Sequence, residues 1–361
     1  MKKDGRLAEA KYTREDLEIM RAWPLERKIR VTQTRLIEWK ARFNGQIYIS
    51  FSGGKDSTVL ADLTARIYSA EQKMSGTAEP LTLVFVNTGL EYPEIQRFTG
   101  EFAEWLRTTY EIPVDLQRLK PELTFPQVLM KYGYPVISKE VAKTTYYARR
   151  GSEWAIKRFD GKDPRGKESK FKQRYKKYKM LVDAPFETSS LCCDIMKKAP
   201  AHKYEAETGR KAVIATMTEE SEQRQSAWLK HGCNAFDSDR PTSKPMSFWT
   251  EQDVLQYLKM TGIPYAPVYG DIVGVDPQLT LFDGEAKERL VTTGCERTGC
   301  MYCMFGIMSD KEPNRFQRMK QTHPRQYEFC IGGGHFEKGV LKPDKDGLGI
   351  GKILDYIGKP Y

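Results

Sequence analysis

No apolar run in this 361-residue chain approaches the length of a bilayer span, so a helical membrane protein is not expected. The opening residues, MKKDGRLAEAKY, hold no apolar h-region, so no signal peptide is expected and the cytoplasm is the expected location. Internal repeats and low-complexity tracts are missing, which sets aside solenoid arrays and composition-driven disorder. Acid is in short supply relative to base: 48 Asp and Glu against 58 Lys and Arg leave a net charge of +10, which favours polyanionic partners, nucleotides or nucleic acid. Seven cysteines in a cytoplasmic chain argue against disulfides and for metal chemistry. The rest is ordinary globular composition, 40% hydrophobic and 29% charged, with length enough for one large or two modest domains.

One stretch organises the chain: residues 46–60, QIYISFSGGKDSTVL. Ile47, Tyr48, Ile49 and Phe51 read as a buried strand, Ser52-Gly53-Gly54-Lys55-Asp56-Ser57 as a tight loop, and Thr58, Val59, Leu60 and Leu63 as the start of a helix. Paired glycines let backbone N–H groups face inward, and the following helix adds free N–H groups and its dipole, so the loop is built to hold an anion. Ser52 and Ser57 add hydroxyls and Lys55 a mobile charge. Asp56 repels phosphate and makes sense as a Mg²⁺ or water ligand, or as a helix cap. The loop lacks the Walker GxxxxGK[ST] spacing.

Around it the pattern predicts an α/β fold. Residues 13–43 read as helical, capped by Thr13 and Asp16 and broken at Pro24. A helix to about residue 70, a polar connector over 71–80 and a strand over 81–86 complete a βαβ unit. Val86, Asn87, Thr88 and Gly89 then leave the strand at the carboxyl edge, where the ligand crevice of such sheets lies. A helix over 94–110, strands over 114–116 and 212–216, and a helix capped by Thr250 and Asp253 follow. The expected organisation is an N-terminal helical layer (1–44), a nucleotide-binding α/β domain (45–270) with a basic insertion at about 139–180, and a C-terminal cysteine-rich region (271–361). In the insertion, bases outnumber acids about three to one among interleaved aromatics. That suits nucleic acid, and it equally suits a solvated face whose lysine stems cover rings.

Cys295, Cys300 and Cys303 form a C-x4-C-x2-C group, and Cys192 and Cys193 are adjacent. Together they can close a four-thiolate site with Cys193, or alternatively Cys192, as the fourth ligand. Adjacent cysteines do not form a zinc knuckle easily, whereas a cubane tolerates awkward geometry, so a [4Fe–4S] cluster is the first expectation, with zinc and free thiols as alternatives. Cys233 and Cys330 read as ordinary buried cysteines.

SGGKDS resembles the pyrophosphate loop of the PP-loop ATP pyrophosphatases, which split ATP between its α and β phosphates. VNTGLEYPE, CCDIMKKAP, EESEQR, KPMSFWTEQDVLQYL and IPYAPVYG, in that order, resemble the phosphoadenosine phosphosulfate (PAPS) reductase family within that superfamily. The resemblance covers residues 45–305 and implies a Rossmann-like (HUP-type) parallel sheet with flanking helices. It also implies ATP and Mg²⁺ as ligands, and roles for Lys197 and Arg224 at the α-phosphate or the substrate. Asn87 stands in the family's Asp position, and Ala215 and Met217 replace its usual Gly and Arg. The first loop is intact and no E-C-G-L-H segment occurs. The intact loop together with the iron–sulfur-type cysteine set is similar to ATP-using members that move sulfur onto nucleic acid, the DNA phosphorothioation protein and the tRNA thiolases. DNA or tRNA and a sulfur-donor protein are therefore expected partners. Sulfonucleotide reduction, or a nucleic-acid-binding regulator with a structural nucleotide, are the alternatives.

Overall fold

The strand Ile47–Ser50 lies inside a six-stranded sheet. From edge to edge the order is Val114–Leu119, Leu81–Val86, Ile47–Ser50, Lys211–Ile214, Thr242–Ser243 and Asn234–Ala235. All pairings are parallel except the last, with Ile49 opposite Leu83 on one side and Val213 on the other. Leu81–Val86 is buried on both faces, as its near-continuous apolar sequence requires in a parallel sheet covered by helices. This computed structural model describes residues 10–275 and 289–361; residues 1–9 and 276–288, which fall in the expected N-terminal layer and C-terminal region, lie outside the described residues.

Segments group into two units by proximity. The first comprises, within the described residues, 10–87, 92–119, 201–275 and 289–298 and holds the whole sheet. Its helix Arg14–Arg21 starts with a Thr13–Asp16 capping box, and a second, Leu25–Arg42, begins after Pro24. Leu17, Leu25, Leu36 and Trp39 share one buried core with the sheet residues Ile49, Leu83 and Phe85. The helix after the glycine loop, Lys55–Ser75, overruns the expected end near residue 70 until Gly76 takes φ +71°. Polar Glu71 in this extension is held by the Lys40 ammonium. Strand Val114–Leu119 is likewise longer than expected, because it pairs with Leu81–Val86 along its full length. Thr250 and Asp253 form the expected capping box of Glu251–Thr261, and Asp253 also receives Lys28 at 2.6 Å in a buried ion pair.

The second unit gathers 88–91, 120–200 and 299–361. This spatial grouping follows a different principle from a linear division at 44 and 270. Val136–Ile137 pairs in parallel with Met304–Phe305, and the Tyr134 hydroxyl donates to the Leu348 carbonyl at 2.7 Å. The basic segment forms helices Lys139–Ala148 and Glu153–Phe159 and a 3₁₀ stretch Gln173–Asp183, anchored by buried Phe159, Tyr175 and Leu181. Among the described residues no helix is long and apolar enough to cross a membrane.

Candidate functional site

In the first unit the glycine loop turns between strand and helix as its sequence predicts. Gly53 takes φ +72°, and a Cβ there would stand 3.0 Å from Ile95 Cγ2 and 3.1 Å from Thr99 Cγ2, so only glycine fits without strain. Ser52 and Ser57 hydroxyls lie 3.0 Å apart, and Ser57 Oγ donates to the Gly54 carbonyl at 2.9 Å. The backbone N–H of Lys55 donates to the Tyr269 hydroxyl at 3.2 Å, which in turn pairs with Thr298 Oγ1 at 2.6 Å.

A polar cavity of about 140 Å³ opens on this loop. Ser52, Gly54, Lys55 and Asp56 line it from the loop, with Glu220, Glu251, Tyr269, Arg297 and Thr298 around them. Lys55 Nζ is 2.6 Å from Glu251 Oε1 and also donates to the Glu296 carbonyl. Glu220 accepts from Arg224 and faces Arg297 Nη1 at 3.8 Å. Asp56 Oδ1 is buried with no hydrogen-bond partner. Burial pushes the Asp56 carboxyl up to about 6, with Lys55 and Arg297 pulling it down and Glu220 and Glu251 pushing it further up. A cavity-lining carboxylate with one unpartnered oxygen fits a divalent cation such as Mg²⁺.

Strand Leu81–Val86 runs beside Ile47–Ser50 in the same direction, so Val86 and Asn87 leave from the same sheet edge as Ser52–Ser57. The Asn87 N–H donates to the Leu119 carbonyl at 2.8 Å. Thr88 and Gly89 group with the second unit, where the Thr88 hydroxyl donates to Glu91 at 2.7 Å and Gly89 takes φ +75° facing open space.

The second unit also collects thiols. Cys192 and Cys193 lead into the π-helical turn Asp194–Lys198, and Cys300 and Cys303 precede strand Met304–Phe305. The Cys303 N–H donates to the Cys300 carbonyl at 3.1 Å, and Arg315 Nη1 donates to the carbonyls of Cys303 and Phe305. Burial pushes the Cys300 thiol up to about 11 against the pull of Lys197. Cys192 is also pushed up by burial, with Cys193, Cys300 and Cys303 adding to the shift. For Lys197, burial works against the ammonium, yet Cys300 and Glu91 raise it overall; Glu91 Oε1 lies 3.9 Å from Nζ. Four thiols facing one cation fit a thiolate-bound group in donor chemistry. Among the described residues, however, no three His, Cys, Asp or Glu converge as a single-ion site. Cys295 belongs to the first unit, its N–H bonded to the Val268 carbonyl at 2.9 Å.

Lys197 thus stands with the thiols and Arg224 with the cavity at the glycine loop. The cavity residues Arg297, Thr298, Tyr269 and Glu251 escape sequence reasoning, because they come from segments some two hundred residues after the loop. One signal was available: a lone arginine embedded between cysteines in GCERTGC.

The family model for the phosphoadenosine phosphosulfate reductase domain matches residues 46–147 and 137–305, well over half of the chain. The chain belongs to this family, in the PP-loop superfamily of nucleotide-utilising enzymes. Among solved structures it is similar to phosphoadenylyl-sulfate (PAPS) reductase from Candida auris in a phosphate complex, at 12% identity, covering 72% of this chain and 92% of that one with a TM-score of 0.35. No curated protein matches the sequence.

Proposed function

We propose that the chain uses ATP to adenylate an acceptor. The β and γ phosphates occupy Ser52–Ser57 and the adenine lies beside Val86 and Asn87. An acceptor nucleophile bonds to the α-phosphorus as the bond to the bridging α–β oxygen breaks, so pyrophosphate leaves. Lys55 and the loop amides neutralise the leaving group, and Arg224 is assigned to the α-phosphate or the acceptor. Asp56 would hold Mg²⁺, which adds charge neutralisation at the phosphates. The observation that carries this reading is the orphaned Asp56 oxygen beside Lys55 and Ser52 in one cavity.

The acceptor is a nucleic acid, and sulfur transfer follows: a sulfide-level sulfur nucleophile bonds to the activated position of the nucleic acid as its bond to the adenylate oxygen breaks, and AMP leaves. Residues 139–180 hold fifteen Lys and Arg against five Asp and Glu, a surplus equal to the +10 of the whole chain. Arg174 lies 4.1 Å over the exposed Phe171 ring and Arg150 3.7 Å over Tyr146. Cations beside rings are the surface that a nucleic-acid strand engages. Cys193, Cys300 and Cys303 would hold an iron–sulfur cluster, which supplies sulfur or electron handling when bound, and a sulfur-donor protein would feed it.

The test is turnover by anaerobically purified protein supplied separately with Mg-ATP and with a sulfonucleotide. Pyrophosphate from ATP, lost in Lys55→Ala with the fold intact, supports the reading. Sulfite from the sulfonucleotide instead makes the chain a reductase. Tight, salt-sensitive nucleic-acid binding with neither product makes it a binding protein.

A further inference from the structure

The cavity at the glycine loop contains its own counter-ions. Lys55 is buried and bound to Glu251 at 2.6 Å, with side chains 5% and 32% exposed. Arg297 faces Glu220, which is 15% exposed and also binds Arg224. The Glu251 backbone N–H is fixed in turn by Glu219 Oε1 at 2.5 Å. Each cation that lines the cavity therefore has a carboxylate in front of it, on a separate segment of the first unit. Purely structural ion pairs have no need to line an open polar cavity. Here Arg297 keeps a side chain 60% exposed and still lines the cavity, an arrangement that leaves its guanidinium able to turn onto an incoming oxyanion. A guanidinium offers the bidentate geometry that a phosphate group prefers.

We infer that Arg297 is a further phosphate-contacting residue, and that Glu220 and Glu251 are resident counter-ions which Arg297 and Lys55 leave when a nucleotide's phosphates enter. The inference rests on the nucleotide reading of this cavity. Binding is then an exchange of ion pairs. Phosphates replace carboxylates at the two cations, and weakly charged ligands that cannot displace Glu251 are rejected.

The experiment is equilibrium binding of ATP, by calorimetry, to the full-length wild type, Arg297→Ala, Arg297→Lys, Glu251→Gln and a distant charge control, Glu15→Gln. Thermal melting of each variant checks that it folds. Arg297→Ala should weaken ATP binding about 10- to 100-fold, as loss of a charge-assisted bond implies, with Arg297→Lys between it and the wild type. Glu251→Gln should tighten binding by about 3- to 10-fold because Lys55 is released, while Glu15→Gln leaves it unchanged. Wild-type affinity in Arg297→Ala removes that residue from the site, and unchanged or weaker affinity in Glu251→Gln removes the counter-ion role. If the wild type itself takes up no ATP, the nucleotide reading falls and this inference with it.

Discussion

Replacing Asp56 with Asn should make the protein more stable while removing its activity. The Asp56 carboxyl is pushed up to about 6 from an ordinary 3.8, chiefly by burial, and one of its oxygens finds no partner. A raised acid keeps its proton in the folded state while the unfolded chain has already lost it. Below pH 4 both states are protonated and the residue is neutral in its effect. Stability then falls as pH rises from about 4 to 6, and above 6 the full penalty stands. A gap of about two pH units at ~1.4 kcal/mol each amounts to a cost of about 3 kcal/mol at neutral pH. Asn keeps the shape and carries no charge, so Asp56→Asn should gain about 2–3 kcal/mol at pH 7.5, with the gain vanishing near pH 4. The assay is urea unfolding of nucleotide-free protein in a chelator at both pH values. A variant no more stable than wild type at pH 7.5, or a gain as large at pH 4, would refute the reasoning.

Other outcomes follow from the same geometry. Gly53→Ala meets Ile95 and Thr99 at φ +72° and should cost about 1–3 kcal/mol, measured by denaturant unfolding. Lys28→Ala leaves Asp253 buried without its cation and should cost about 3–5 kcal/mol in the same assay. Cys300→Ser should lower the bound iron and acid-labile sulfide of anaerobically purified protein; unchanged content removes Cys300 from the ligand set. Single-stranded nucleic-acid affinity should fall with salt at a slope of about −0.7 per phosphate contacted, and charge reversal at Lys170 and Lys172 should flatten that slope.

Much of the first unit was legible because its signals are local. The Thr13–Asp16 and Thr250–Asp253 boxes, the break at Pro24, the apolar run Leu81–Val86 and the turn at Gly53 each lie within a few residues of what they determine. The short strands Asn234–Ala235 and Thr242–Ser243 were not legible. Two residues carry no period: Thr242–Ser243 is a strand because Lys211–Ile214 offers it an edge, and Asn234–Ala235 because Thr242–Ser243 offers the next one. The overrun of Lys55–Ser75 also has a non-local contact, since Glu71, just past the expected end, pairs with Lys40 from another helix. The loop half of the cavity was readable for local reasons as well. Its far wall of Glu251, Tyr269, Arg297 and Thr298 comes together only through tertiary folding: these residues lie in the stretches KPMSFWTEQDVLQYL, IPYAPVYG and GCERTGC, and nothing local in those stretches says that they meet the loop. The basic segment shows the limit of composition, which foretold its charge and not its anchoring by Phe159, Tyr175 and Leu181.

Each of the two units is assembled from three separate segments that alternate along the chain. A contiguous gene fragment that carries every segment of either unit must therefore also carry segments of the other. Neither unit can be exchanged between relatives by one crossover, and a nascent chain can complete neither core until its later segments emerge from the ribosome. For this molecule, heredity and biosynthesis must treat the two units as one inseparable piece.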